Sequence, residues 1–168
     1  MAAMKHSARL VFLLVLLVAA LSPVPAHAQD KPYESKALQA ILIDARTGAV
    51  MYEKNADEAI PPASMSKMMT MIMVFEALKA GKITLDTEIT ISENAWRKGG
   101  APSGGSTMYA AIHSRVKIED LLQGVIIHSG NDACIALAEG IAGNEANFSR
   151  LMNDRARELG LDKSNFTN

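Results

Sequence analysis

The sequence is poor in the residues that hold disulfides and metal ions. It has one cysteine, Cys134, and four histidines among 168 residues. A single cysteine cannot form an intramolecular disulfide, and the apolar helical stretch around it predicts a buried structural thiol. His6 and His27 fall within the first 28 residues, so only His113 and His128 remain in the rest of the chain. Two histidines are too few for a convincing zinc site.

An excess of charge of one sign is also lacking. The chain has 17 basic and 18 acidic residues. Lys5 and Arg9 lie in the first 28 residues, and without them 15 basic residues face the same 18 acidic ones, a formal charge of −3. Nothing in this balance suggests a nucleic-acid partner. The Gly- and Ser-rich stretch 98–106 has no Gly-Lys-Ser/Thr ending, which argues against a phosphate-binding loop and predicts a flexible loop that could rim a cleft.

Only the amino terminus carries a long apolar run with a charged start. Lys5 and Arg9 precede the run 10–21, and Ala26-His27-Ala28 forms an A-x-A cleavage site. The run is short for a membrane anchor, which is the competing interpretation. We therefore predict a secretory signal peptide at 1–28 and a mature domain at 29–168. With 49% hydrophobic residues and no internal repeat, the chain can form one domain with a sizeable core.

The rest of the sequence predicts a mixture of strands and helices. The β-prone segment 37–44, the turn 45–48 and the apolar residues 50–52 predict a β-hairpin over 38–52. Short β-prone runs follow at 83–91. Apolar residues with a helical period predict three helices, at 117–128, 132–141 and 145–159.

The element around which the chain is organised is a helix over 61–79. Pro61 and Pro62 stand at its start, and Gly81 lies just beyond its end. Its residues 68–78 are apolar on nearly all sides, which predicts a central position in a domain. Ser64 and Lys67 lie one turn apart at its start. A lysine there can take the proton of a serine nucleophile, and the helix start offers N–H groups to an oxyanion. The alternative is an N-capping serine followed by a lysine that reaches the solvent.

Ser129-Gly130-Asn131 forms a tight joint between two predicted helices. On its own it is typical of a Gly at one helix end and a capping Asn or Asp at the start of the next.

Taken together, the two motifs resemble those of the serine-type D-alanyl-D-alanine carboxypeptidases, the low-molecular-weight penicillin-binding proteins. The resemblance rests on Pro-Pro-Ala-Ser-Met-Ser-Lys-Met-Met-Thr at 61–70 and His-Ser-Gly-Asn-Asp-Ala at 128–133. Asp44, Thr47 and Gly48 in the hairpin, and Gly-Ser-Thr-Met at 105–108, also match. The implied fold is an α/β class, a helical cluster against an antiparallel sheet as in penicillin-binding proteins and β-lactamases, with the sheet incomplete in this chain.

The resemblance implies acyl transfer in the bacterial periplasm or cell envelope. Ser64 would attack the last peptide bond of a peptidoglycan stem peptide that ends in D-Ala-D-Ala, and Lys67 would be its base. Ser129 would relay a proton to the leaving amine, and Asn131 would hold the substrate amide and help to position Lys67. Penicillins would acylate Ser64, with no metal or organic cofactor.

The family's third motif, Lys-Thr-Gly or Lys-Ser-Gly on a strand, does not occur in residues 1–168. We therefore expect an amino-terminal part of a longer enzyme, poorly active alone, with the hairpin unpaired along an edge and much of the central helix uncovered. Membrane attachment would need a further carboxyl-terminal region.

Three alternative functions remain. The first is a β-lactamase, whose second motif usually has Asp in place of Gly130 and which would need a Glu-x-x-Leu-Asn segment. The second is a transpeptidase of the same superfamily, and the third is a non-catalytic peptidoglycan-binding module.

Overall fold

The computed structural model describes residues 33–167, so the predicted signal peptide at 1–28 lies outside the described residues. The chain divides after Glu58 into two units, which are described separately. Among residues 33–167, no helix combines the length and the hydrophobicity that crossing a bilayer requires.

The described part of the first unit, residues 33–58, is a β-hairpin. Strands β1 (Ala40–Ile43) and β2 (Val50–Lys54) pair in antiparallel register from Ala40 opposite Lys54 to Ile43 opposite Val50. At the turn, the Asp44 carboxylate accepts hydrogen bonds from the backbone N–H groups of Arg46 and Thr47 and from the Thr47 hydroxyl. The predicted hairpin is thus confirmed.

The described part of the second unit, residues 59–167, is mainly helical. It contains α1 (Lys67–Lys79), α2 (Glu93–Gly99), α3 (Ile118–His128), α4 (Asn131–Ala142) and α5 (Glu145–Glu158). Two 3-10 turns lie at Ala63–Ser66 and Ala101–Ser103, and the strands β3 (Glu88–Thr90) and β4 (Arg115–Lys117) pair antiparallel. The helices predicted at 117–128, 132–141 and 145–159 are confirmed to within one residue at each end.

The central helix α1 is covered on one face only. Its buried residues are Met69, Thr70, Val74 and Ala77. On another face Met68 is 65% exposed and Phe75 is 49% exposed. The apolar residues of α1 are therefore not buried on all sides. Within the described residues, the expectation that much of this helix is uncovered is confirmed.

Helix α4 is the centre of the helical unit, because α1, α2, α3 and α5 all contact it. Its buried residues Ala133, Ala136 and Leu137 join the main core, and Ala138 joins a second cluster with Phe148 and Met152 of α5. The core includes further buried residues of α3: Ile118, Leu121, Leu122 and Val125.

Helix α2 was not predicted from the sequence. Ser92 caps it by accepting the N–H of Ala95, and Glu93 stands in its first turn. Its last residue, Gly99, packs so closely on α4 that a Cβ atom there would overlap the backbone nitrogen of Asp132. This glycine therefore sets the distance between α2 and α4. The stretch 98–106 then contains a 3-10 turn rather than an irregular loop throughout.

Candidate active site

Ser64 lies in the 3-10 turn that leads directly into α1, and Lys67 is the first residue of α1. The predicted helix at 61–79 is therefore a tighter turn followed by an α-helix. Ala63, immediately before Ser64, has a left-handed backbone with φ of 49°. Such a conformation is costly for a residue with a Cβ atom and is found most often at functional sites. The backbone thus presents the Ser64 hydroxyl, and Ser64 is exposed.

Four oxygen atoms surround the Lys67 ammonium nitrogen. Nζ lies 3.4 Å from the Ser64 Oγ. On the other side it is 3.0 Å from the Ser129 Oγ and 2.5 Å from the Ser129 carbonyl oxygen. The Asn131 Oδ1 is 2.6 Å away. The structure therefore brings together all four site residues that the sequence predicts, although 65 positions separate Ser64 from Ser129.

The joint between α3 and α4 differs from the predicted capping arrangement. The residue that ends α3 in a left-handed conformation is Ser129, with φ of 53°, and Gly130 stands at the start of α4. Asn131 is the first residue of α4 and its side chain turns toward Lys67. The predicted capping roles of Gly130 and of Asn131 or Asp132 are therefore wrong. Serine in place of the usual glycine places a hydroxyl beside the lysine, at a cost in backbone strain.

A cleft of about 520 Å³ opens beside these residues. Its lining includes Ser64, Lys67 and Asn131, and farther along Lys98 and Glu145. This volume falls within the range of small-molecule sites. Of the stretch 98–106, Lys98 alone lines this cleft, and it belongs to helix α2. That a flexible loop from this stretch rims the cleft therefore stays a prediction.

Cys134 lines the same cleft and is only partly buried, so the prediction of a buried thiol is wrong in degree. Burial raises the pKa of Cys134 to about 11; the charge on Lys67 acts against the rise and that on Asp132 adds to it. The thiol therefore stays protonated near neutral pH and is a poor nucleophile. Among residues 33–167, no three His, Cys, Asp or Glu side chains gather where they could hold a metal ion.

The arrangement fits nucleophilic catalysis better than ion binding. A serine hydroxyl at a helix start, with an amine in reach, is the combination that covalent acyl transfer requires. The amine is oriented by two oxygen atoms, the Ser129 carbonyl and the Asn131 amide, so its direction is fixed by the joint between α3 and α4.

One residue next to this site was not predicted to support it. Asp132 was interpreted as a helix cap and as a member of the motif at 128–133, but its carboxylate is fully buried and contacts residues 107, 108 and 110. An acidic residue directly after a motif asparagine, in an otherwise apolar helix, was the available signal.

Comparison with solved structures places this architecture among the penicillin-binding proteins and related peptidases. The crystal structure of penicillin-binding protein 5 from Haemophilus influenzae matches with a TM-score of 0.74 and 41% identity, covering 80% of this chain and 39% of that one. The D-alanyl-D-alanine carboxypeptidase DacD from Francisella tularensis matches with a TM-score of 0.73 and 42% identity, covering 81% of this chain and 32% of that one. The predicted fold class is confirmed.

The family follows from sequence comparison. Residues 25–168 match the D-alanyl-D-alanine carboxypeptidase family, and the chain belongs to it. It is 44% identical over 145 residues to the D-alanyl-D-alanine carboxypeptidase DacC of Escherichia coli K12, covering 84% of this chain and 36% of the relative. It is 42% identical to DacF of Bacillus subtilis 168, covering 79% of this chain and 33% of the relative. The chain thus spans about a third of the length of these relatives.

Proposed function

We propose that this chain carries the nucleophilic half of a serine-type D-alanyl-D-alanine carboxypeptidase that trims peptidoglycan stem peptides. The observation that carries the proposal is the position of the Lys67 Nζ, within 3.4 Å of Ser64 and 3.0 Å of Ser129. Ser64 is the nucleophile, Lys67 its base and Ser129 the proton relay. Asn131 holds the substrate amide and orients Lys67.

The contacts of Lys67 suit a proton carrier between two hydroxyl groups. Its Nζ donates to the Ser129 carbonyl oxygen and to the Asn131 Oδ1. The Ser129 Oγ, at 3.0 Å, and the Ser64 Oγ, at 3.4 Å, both lie within reach of the same nitrogen. Lys67 is therefore placed to take a proton from Ser64 and to pass one on through Ser129.

The reaction proceeds in two steps. The Ser64 oxygen bonds to the carbonyl carbon of the penultimate D-alanine as its proton passes to Lys67. The C–N bond then breaks, and the leaving amine takes a proton through Ser129, which releases the last D-alanine. Water hydrolyses the acyl-enzyme ester and restores Ser64. No step needs a metal or an organic cofactor.

The oxyanion formed in each step needs N–H donors, and the Ser64 backbone N–H is one candidate. The family's second donor belongs to the Lys-Thr-Gly or Lys-Ser-Gly strand, which residues 1–168 do not contain. Loss of one such donor costs about 10² to 10³ in rate. We therefore expect residues 1–168 alone to be much slower than a full-length relative.

The same site should react with β-lactams. Penicillin-binding protein D2 of Listeria monocytogenes, a structure solved in its ampicillin-bound form, matches with a TM-score of 0.62 and 29% identity, over 74% of this chain and 47% of that one. For the location we propose a signal peptide at 1–28, a mature domain from 29 and action in the periplasm or cell envelope.

Intact-mass analysis after incubation with benzylpenicillin tests the proposal. The wild-type chain should gain one penicilloyl group, and Ser64→Ala should gain none. Ser66→Ala is the matched control, because Ser66 also lines the cleft but donates its hydroxyl to the Ala63 carbonyl. An adduct that persists in Ser64→Ala, or a folded wild-type chain that gains none, would contradict the proposal. Rapid loss of the adduct with release of hydrolysed penicillin would favour a β-lactamase instead.

A further inference from the structure

Asp132 is a buried charged residue that the proposed chemistry does not use. Its carboxylate has no exposed surface, and burying a charge is costly unless polar partners compensate. The Oδ1 atom accepts the N–H groups of Met108 and Ala133, both at 3.0 Å. The Oδ2 atom accepts the Thr107 hydroxyl at 2.7 Å and the Ala110 N–H at 3.1 Å. Four donors thus compensate one buried carboxylate.

Three of these donors belong to one segment, residues 106–110, which we call the strap. Within it Tyr109 has a left-handed backbone with φ of 61°, and its N–H binds the Thr107 Oγ1. Such strain persists only where surrounding contacts enforce it. The carboxylate enforces it here, because Met108 and Ala110 on either side of Tyr109 both donate to Asp132.

The strap also contacts Asn131. The Asn131 N–H donates to the Ser106 carbonyl oxygen at 2.8 Å. A Cβ atom at Gly105, just before the strap, would lie 3.0 Å from the Asn131 Nδ2, so the chain there packs against the Asn131 amide. Asp132 and Asn131 are neighbours in the first turn of α4. Asp132 holds the strap, and Asn131 accepts a hydrogen bond from Lys67.

Gly130 leaves the room that this arrangement needs. A Cβ atom at Gly130 would lie 3.0 Å from the Asp132 Oδ1 and 3.1 Å from the Met108 nitrogen. Both distances are tight for a carbon atom, so a side chain at position 130 would disturb the contact between Asp132 and the strap.

We propose that Asp132 is a positioning residue: by holding the strap against α4 it fixes the Asn131 amide, and through it the Lys67 amine. Its catalytic part rests on the proposed function of Ser64 and Lys67. Asp132 itself does not line the cleft. Its loss should therefore slow acylation only through the displaced Asn131 amide and Lys67 amine.

The test compares Asp132→Asn with Leu137→Ala. Leu137 is also buried in α4 but makes none of the hydrogen bonds that hold the strap, so its truncation lowers stability and leaves those bonds in place. The maximal rate of Ser64 acylation by benzylpenicillin should fall about 10- to 100-fold in Asp132→Asn. Leu137→Ala, measured under conditions where it is folded, should acylate at nearly the wild-type rate. Equal slowing in the two variants would overturn the proposal.

A second measurement does not depend on activity. Hydrogen exchange at the Asn131 N–H, which binds Ser106 and not Asp132, should accelerate at least tenfold more in Asp132→Asn than in Leu137→Ala. If Met108 and Ala110 exchange faster but Asn131 does not, the strap does not transmit the effect and the inference fails. A wild-type chain that shows no acylation would count against the proposed function, and the exchange rates would still decide the role of Asp132.

Discussion

The hairpin unit and the helical unit both contain apolar sequence, but only the helical unit buries it. In residues 33–58 no residue is buried, and the consecutive β1 residues Ile41, Leu42 and Ile43 are all about half exposed. In the helical unit, Leu121 and Leu137 are fully buried. Three consecutive apolar residues in a strand point to both faces, a pattern typical of strands covered on both sides. The sequence of β1 is thus typical of a strand that is buried on both faces, but residues 33–58 do not bury it.

Local polar contacts hold the hairpin instead. Tyr33 and Tyr52 stack edge to face with ring centroids 5.1 Å apart. The Tyr52 hydroxyl accepts the Ser35 N–H, and Lys54 donates to the Ser35 carbonyl. Contacts of this kind are each worth about 1 kcal/mol, and a two-stranded hairpin alone is marginally stable. Apolar content therefore does not measure stability, since only the apolar surface removed from water contributes.

Hydrogen exchange should show the largest difference between the two units. Amides of β1 and β2 should have protection factors at least about 10³-fold lower than those of α4, and so exchange faster. The hairpin can open locally, whereas α4 exchanges only when the helical core unfolds. Two-dimensional NMR exchange on the wild-type chain measures both units in one sample. Equal protection in β2 and α4 would show that the hairpin shares the stability of the core.

Truncation of a side chain should affect the two units unequally. Leu121→Ala, in the core, should lower the free energy of unfolding by about 2 to 5 kcal/mol. Met51→Ala, in β2 where Met51 is 66% exposed, should change it by less than about 0.5 kcal/mol. Urea unfolding followed by the fluorescence of Trp96, the only tryptophan, reports on the helical core against which it packs. A similar loss from both substitutions would mean that the hairpin is buried in solution.

The fold was predictable where one chain segment contains the whole signal. The i, i+3, i+4 repeat of Ile118, Leu121 and Leu122 suffices to place α3, and its two ends agree with the structure. Helix α2 was missed because its seven residues are too few for a clear period, and its signal was a single cap, Ser92. The β3 and β4 pairing joins segments far apart in sequence, and short runs do not show which partner they take.

The candidate site was predictable from motif spacing, but its support was not. Ser64 and Lys67 are near neighbours on a helix, so their proximity follows from helical geometry. Their meeting with Ser129 and Asn131 was suggested only by the family resemblance, since no local rule connects residues so far apart. The part played by Asp132 depends on where the strap runs, and its hydrogen bonds span 22 to 25 positions. Neither spacing nor period predicts contacts of that range.

The smallest expected effect concerns the turn that holds the hairpin. The Thr47 hydroxyl first, and the Thr47 backbone N–H next, lower the pKa of Asp44 below its ordinary value. A carboxylate with a lowered pKa in the folded state stabilises the turn above its unfolded pKa, and this contribution is lost as the pH falls through the folded pKa. Thr47→Val removes the hydroxyl but keeps the N–H, so the Asp44 pKa should rise part of the way toward its ordinary value.

A carbon-13 NMR titration of the Asp44 carboxyl group in the wild-type chain and in Thr47→Val measures this directly. Thr47→Ser is the matched control, because it keeps the hydroxyl and should keep the lowered pKa. If the midpoint is the same in all three chains, the turn is not formed in solution as the structure shows it. The hairpin would then rest on its strand pairing and on the contacts of Tyr52 and Lys54 alone, and its contrast with the helical core would be sharper than the structure shows.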